Sequence, residues 1–188
     1  MKNILFIVGS QRKQSFNLQL AQAVENEIKD RVRVTYLDYT DVPLFNQDLE
    51  ADLPQSVINA RKQVQKADAL WVFTPEYNYN IPGVLKNLLD WLSRPLDLSK
   101  PGSKSVIYGK IVTCSGIGGK NATKYARREL IKIMRNCMMN VMEEPSAGLT
   151  VPAASWATNQ LTINARKHQS IEKQIEHFVD LVNSNFPA

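Results

Sequence analysis

The chain has 188 residues, of which 44% are hydrophobic and 22% charged, with a formal net charge of +5. That length and balance suit one globular domain over 1–188 with enough apolar material for a core. They exclude a disulfide framework, since Cys114 and Cys137 are the only cysteines, and a helical membrane span, since no apolar run nears ~18 residues.

One Lys and a short apolar run at the start are too little for a signal peptide, so a cytoplasmic setting is expected. The Lys and Arg residues are spread along the chain. They read as a solvated surface, or as attraction for anionic small molecules. No nucleic-acid motif accompanies them.

Ile4-Leu5-Phe6-Ile7-Val8 reads as a buried strand over about 3–8. A helix is expected over about 15–29, because Phe16, Leu20, Val24 and Ile28 fall four apart. The turn between them, Gly9 to Asn17, carries Ser10, Arg12, Lys13, Ser15 and Asn17 and no acid. A helix N-terminus presents free N–H groups and a partial positive charge, so this turn can hold a phosphate. The plainer reading is a polar loop with Ser15 as N-cap.

Residues 31–37 alternate as a strand with one wetter face, and a long loop follows over 38–52. A second helix begins near Pro54, with Val57, Ala60, Val64 and Ala67 on one face. Ala69 to Phe73 is apolar throughout, as a central strand would be. The segment Thr74 to Gly83 then leads to a helix opened by Pro82 and carrying Leu85, Leu88, Leu89 and Leu92. Lys110 to Cys114 predicts a further strand, followed by a glycine-rich loop at 115–119. The next helix carries Tyr125, Leu130, Ile131, Met134 and Met138. A last strand is expected within 139–147, a loop over 148–159, and a terminal helix using Ile171, Ile175, Phe178 and Val182.

Alternating strands and helices predict an α/β fold: a parallel sheet with helices on both faces, wound right-handed. Five strands in this length match the flavodoxin-like three-layer order 2-1-3-4-5. Ligands in such sheets sit beyond the strands' carboxyl ends at the switch point. The loops 9–17, 74–83 and 115–119 should therefore meet there. The middle loop offers main-chain N–H groups and the rings of Tyr77 and Tyr79 to a planar heterocycle, and otherwise reads as a turn and helix start. The last offers glycines that admit close approach, and otherwise reads as a tight turn.

Gly9-Ser10-x-Arg12-x-x-Ser15-x-Asn17 resembles the NAD(P)H-dependent FMN reductase family, which includes quinone, chromate and azo-dye reductases. So does Pro75-Glu76-Tyr77-Asn78-x-x-x-Pro82-Gly83-x-Leu85-Lys86-Asn87-x-x-Asp90-Trp91. The glycine-rich loop, about one residue shorter than the family's, is a weaker match. The resemblance covers essentially the whole chain. It implies non-covalent FMN, NAD(P)H as co-substrate, and ping-pong transfer to small-molecule electron acceptors such as quinones, free flavin, azo dyes or metal oxyanions. Ser10, Arg12, Ser15 and Asn17, with Phe16 beside them, would hold the phosphate. Pro75, Glu76, Tyr77 and Asn78 would line the ring, with Ser115 and Gly116 at its pyrimidine side. No catalytic side chain is implied, because flavin N5 carries the chemistry.

A homodimer or homotetramer is expected, from the resemblance and from Tyr79, Trp91 and Leu92 as surplus apolar groups. Lys120 and Arg127 are candidates for an NADPH 2′-phosphate, or simply solvated helix charges. No metal-ligand spacing is present, and no nucleic-acid or membrane partner is expected. A Gly-x-Gly-x-x-Gly dinucleotide turn, a P-loop and the acids of a receiver domain are all absent. A Cys114-based phosphatase is a remote alternative. A non-catalytic flavin-binding or redox-sensing protein remains the rival from another class, since binding FMN and turning it over use the same loops.

Overall fold

The computed structural model describes residues 1–184. Its elements are β1 (Asn3–Val8), α1 (Phe16–Ile28), β2 (Arg33–Tyr36), α2 (Gln55–Lys66), β3 (Ala69–Phe73) and α3 (Gly83–Leu92). Then come β4 (Ile111–Gly118), α4 (Lys124–Asn136), β5 (Asn140–Val141), β6 (Gly148–Thr150), α5 (Ala153–Thr158) and α6 (Ala165–Asn183). The sheet runs β2-β1-β3-β4-β5 with parallel pairing throughout, which is the flavodoxin-like order.

Side-chain alternation along the strands divides the core into two. Leu5, Ile7, Leu70, Val72 and Val112 face α2, α3 and α4. Ile4, Phe6, Trp71 and Phe73 face α1 and α6, where they meet Leu20, Val24, Ile175 and Phe178. Phe6 and Phe73 pack with ring centroids 4.9 Å apart, and Phe178 sits edge-on to Trp71 at 5.0 Å. Both faces are covered, which explains the unbroken apolar run of β3.

Three expectations about strands and loops need correction. The fifth strand is two short pieces on β4's outer edge: β5 pairs beside Ile111 and Val112, β6 beside Gly116 to Gly118. Between them the chain leaves the ladder at Pro145, which has no N–H to contribute. Side chains stitch the gap: Thr113 Oγ1 donates to Met142 O at 3.0 Å, and Ser146 Oγ to Cys114 O at 2.7 Å.

Secondly, Ser115 to Gly118 form the end of β4 rather than a loop, because β6 pairs with them. The turn proper is 119–123, with Ala122 at φ 48° and Thr123 at φ 56°. Thirdly, the expected loop 148–159 contains β6 and α5, the helix opening at Pro152.

Trp91 and Leu92 are fully buried, so they supply core and not surplus surface. Trp91 Nε1 donates to Pro43 O at 2.8 Å, and Asn87 Nδ2 donates to the same oxygen at 2.9 Å. Asn87 Oδ1 accepts from Phe45 N at 2.7 Å. The Leu85-Lys86-Asn87-x-x-Asp90-Trp91 pattern thus pins the long loop after β2 onto α3.

Candidate active site

The first loop starts where β1 ends against β3. Gly9 N donates to Phe73 O at 2.7 Å. A Cβ on Gly9 would lie 3.2 Å from Leu85 and 3.3 Å from Phe73 O, so glycine permits this close approach. Ser15 is the N-cap of α1, its Oγ accepting from Asn17 N at 3.2 Å and Leu18 N at 3.4 Å. The buried Asn17 amide faces the protein. Its Nδ2 donates to Ile117 O at 2.9 Å and its Oδ1 accepts from Ile117 N at 3.1 Å.

Ser15 and Asn17 therefore shape the loop, and the main chain is left open. Among the described residues, none of the N–H groups of Ser10 to Gln14 donates to a protein acceptor. No acid stands in the first turn of α1, and Arg12 and Lys13 are exposed. Five free N–H groups, two cations and a helix N-terminus are the donor set that a phosphate dianion takes. Arg12 is not loose. Its guanidinium lies over the Phe16 ring, 5.1 Å from the centroid, and its Nη1 donates to Asn159 Oδ1 at 3.1 Å.

The second loop is braced as a miniature hairpin. Tyr77 and Asn80 exchange main-chain hydrogen bonds of 3.0 Å each way. Asn78 and Tyr79 turn at φ 51° and 61°, the positive pair of a type I′ turn. The turn pushes Tyr77 and Tyr79 outward, 54% and 62% exposed, while Pro75 is buried.

Glu76 has a role that local spacing did not show. Its Oε2 accepts from Tyr125 N at 2.9 Å and Ala126 N at 3.1 Å, and its Oε1 from Asn121 Nδ2 at 3.0 Å. It caps α4, whose own N-cap residue Thr123 makes no side-chain cap bond. A carboxylate here meets the positive end of the helix dipole.

The third segment is closed. A Cβ on Gly116 would stand 2.3 Å from Thr123 Oγ1 and 2.4 Å from Thr74 O. Ser115 Oγ points into the core, accepting from Trp71 Nε1 at 2.9 Å and donating to Gln174 Oε1 at 2.7 Å. Only main-chain atoms of Ser115 and Gly116 can therefore take part in a site. The buried hydroxyl of Thr123 has no hydrogen-bond partner among the described residues.

Arg127 is not a free cation. Its Nη1 donates to Ser146 O at 2.8 Å and Ser146 Oγ at 2.7 Å, which ties it to the segment between β5 and β6. Lys120 is exposed on the turn after β4. Burial pushes the Cys114 thiol up to about 11, so it is no nucleophile and the phosphatase reading fails. His177 is exposed, and His168 lies partly exposed between Glu27 and Glu172. Among the described residues no cluster of His, Cys, Asp or Glu could hold a metal, and no helix is long and apolar enough to cross a membrane.

Gly9, Pro75 and Glu76, with the Asn17–Ile117 and Glu76–Tyr125 bonds, bring the three segments to one end of the sheet. The fold is flavodoxin-like, and this cluster lies at the β1/β3 switch point, where such sheets bind their ligands. The sequence profile of the family described as NADPH-dependent FMN reductase matches residues 2–151, and the chain belongs to that family.

A quinone reductase of Pseudomonas putida is 30% identical over 184 residues, 97% of this chain and 96% of that one. A 2-hydroxy-1,4-benzoquinone reductase of a Burkholderia species is 43% identical over 101 residues. In that second match the aligned part spans about half of each protein, 54% of this chain and 55% of the other. In structure the chain is similar to FerB, the flavoenzyme NAD(P)H:(acceptor) oxidoreductase of Paracoccus denitrificans. The TM-score is 0.85, with 28% identity and 98% of both chains covered. The protein is an oxidoreductase of this family, whose cofactor is FMN and whose co-substrate is NAD(P)H.

Proposed function

We propose that the chain works as a single-domain NAD(P)H:acceptor oxidoreductase that reduces quinones and similar flat oxidants. One observation carries this reading: an open N–H and arginine cradle at the start of α1 faces the same sheet end as the tyrosine hairpin. The donor set fits FMN. Arg12, the hydroxyl of Ser10 and the free N–H groups of the first loop would hold the phosphate, with Ser15, Phe16 and Asn17 fixing their shape. Pro75, Tyr77, Asn78 and the main chain at Glu76 would lie along the ring, and the main chain of Ser115 and Gly116 beside its pyrimidine edge. Bound FMN would accept a hydride from NAD(P)H and deliver electrons to the acceptor. The protein's part is to orient the ring and to present N–H donors where negative charge develops.

The site has no acid–base pair aimed at a particular substrate, which supports broad acceptor use and a shared pocket. Exposed Tyr77 and Tyr79 support a homodimer or homotetramer that covers the hairpin. Both cysteines are free, in keeping with a cytoplasmic setting. The test is direct: purified protein should bind FMN and oxidise NADPH when a benzoquinone is supplied, with parallel lines in two-substrate kinetics. Intersecting lines, or activity confined to one acceptor, would overturn the shared-pocket reading. A monomer at micromolar concentration by sedimentation would remove the oligomer.

A further inference from the structure

The C-terminal side of the chain reaches the first loop through residues that lie outside the sequence motifs, Trp156 and Asn159. Residues 152–164 lie beyond the family-matched region, which ends at 151. They carry α5, and Trp156 on it meets Phe16 edge-on with centroids 5.2 Å apart and planes at 90°. Asn159 ends α5 in the left-handed region, at φ 55°. That conformation turns its side chain to accept from Arg12 at 3.1 Å. Its own carbonyl is fixed, accepting from Gln19 Nε2 at 3.0 Å, and Gln19 Oε1 accepts from Leu161 N at 2.7 Å. Gln19 thus clamps the strap to α1 one turn beyond the phosphate seat.

We infer that Asn159 is a positioning residue for Arg12, so that the α5 strap completes the phosphate seat. This rests on the reading that Arg12 holds the FMN phosphate. A guanidinium has five N–H donors in a planar fork. One donates to Asn159 and one face rests on Phe16, which leaves the remaining edge to pair with phosphate oxygens. A long side chain already held in one rotamer loses less freedom when the anion arrives. Trp156 packs edge-on against the same Phe16 ring, which is buried.

The test compares FMN with riboflavin, which has the same ring and no phosphate. Asn159→Gly removes the side chain while keeping a residue suited to positive φ and the carbonyl that Gln19 holds. Titrated by flavin fluorescence quenching, the variant should bind FMN about three- to tenfold more weakly, the scale of one hydrogen bond, and riboflavin unchanged. In an Arg12→Ala background the same substitution should have little further effect on FMN. Unchanged FMN affinity in Asn159→Gly, equal losses for both flavins, or additive losses in the double variant would each overturn the inference. If Arg12→Ala itself leaves FMN affinity unchanged, the phosphate assignment has failed, and the single-variant arm shows that independently of Asn159.

Discussion

The turn after β1 and the end of β4 both read from the sequence as loops open to a ligand, yet they treat their polar groups in opposite ways. In the first, Ser15 and Asn17 point inward and hold the shape while a run of N–H groups stays free. In the second, Ser115 is tied to Trp71 and Gln174, and Gly116 exists because Thr74 and Thr123 press against it. One segment leaves its donors open, as the proposed seat needs; the other is a joint within the protein. Composition alone does not separate the two. Whether the main-chain donors have internal acceptors does.

The largest expected effect tests the joint. Gly116→Ala places a Cβ 2.4 Å from a main-chain oxygen that cannot swing away. It should cost about 3 kcal/mol or more in urea unfolding, whereas Gly119→Ala, with nothing within 4 Å, should change stability by roughly 0.5 kcal/mol at most. Comparable losses in the two variants would break the distinction.

The pH dependence of the closed region comes next. The Cys114 thiol is raised from 9.0 to about 11, first of all by burial. Between those values the unfolded thiol has lost its proton and the folded one has kept it. Stability is therefore whole below pH 9 and falls as pH rises toward 11, by between about 2 and 3 kcal/mol from this group alone. Burial raises the Tyr39 hydroxyl too, which adds to the fall above pH 10. Urea midpoints for the native protein and Cys114→Ala at pH 8 and pH 10.5 measure it. An equal decline in both would assign the loss to other groups.

The open segment should respond to ligand rather than to denaturant. Arg12→Ala should weaken FMN binding by roughly 1–3 kcal/mol, the scale for a charged hydrogen bond, and leave the urea midpoint nearly unchanged. Fluorescence titration and unfolding on one preparation check both halves. The smallest effect is Glu76→Gln, which keeps an acceptor at the N-terminus of α4 but removes its charge. About 1 kcal/mol of stability should be lost, with a lesser effect on FMN. Lost flavin binding at full stability would move Glu76 from the joint to the seat.

These contrasts also mark what the sequence could reveal. The strand patterns, the helix faces and the switch-point crevice follow from local periodicity, and the sheet order from alternation and handedness. The partners of Asn17, Glu76 and Arg12 do not. They lie 100, 49 and 147 residues away, and nothing in local spacing specifies them. The same holds for β4, whose last four residues look like a glycine turn until β6 pairs beside them. Trp91 reads as surplus surface for the same reason, since Pro43 and Phe45, far back in the chain, cover it. The Ala- and Ser-rich stretch after residue 151 reads only as a loop, and nothing local marks it as the neighbour of Phe16 and Arg12.

The paired hydrogen bonds between the Asn17 side chain and the Ile117 main chain imitate one rung of a sheet. An amide side chain stands in for a missing strand there, so α1's first turn is registered to β4 almost as a neighbouring strand would be. The start of α1, where the phosphate is proposed to sit, is thus tied to the sheet itself and not only to its own loop.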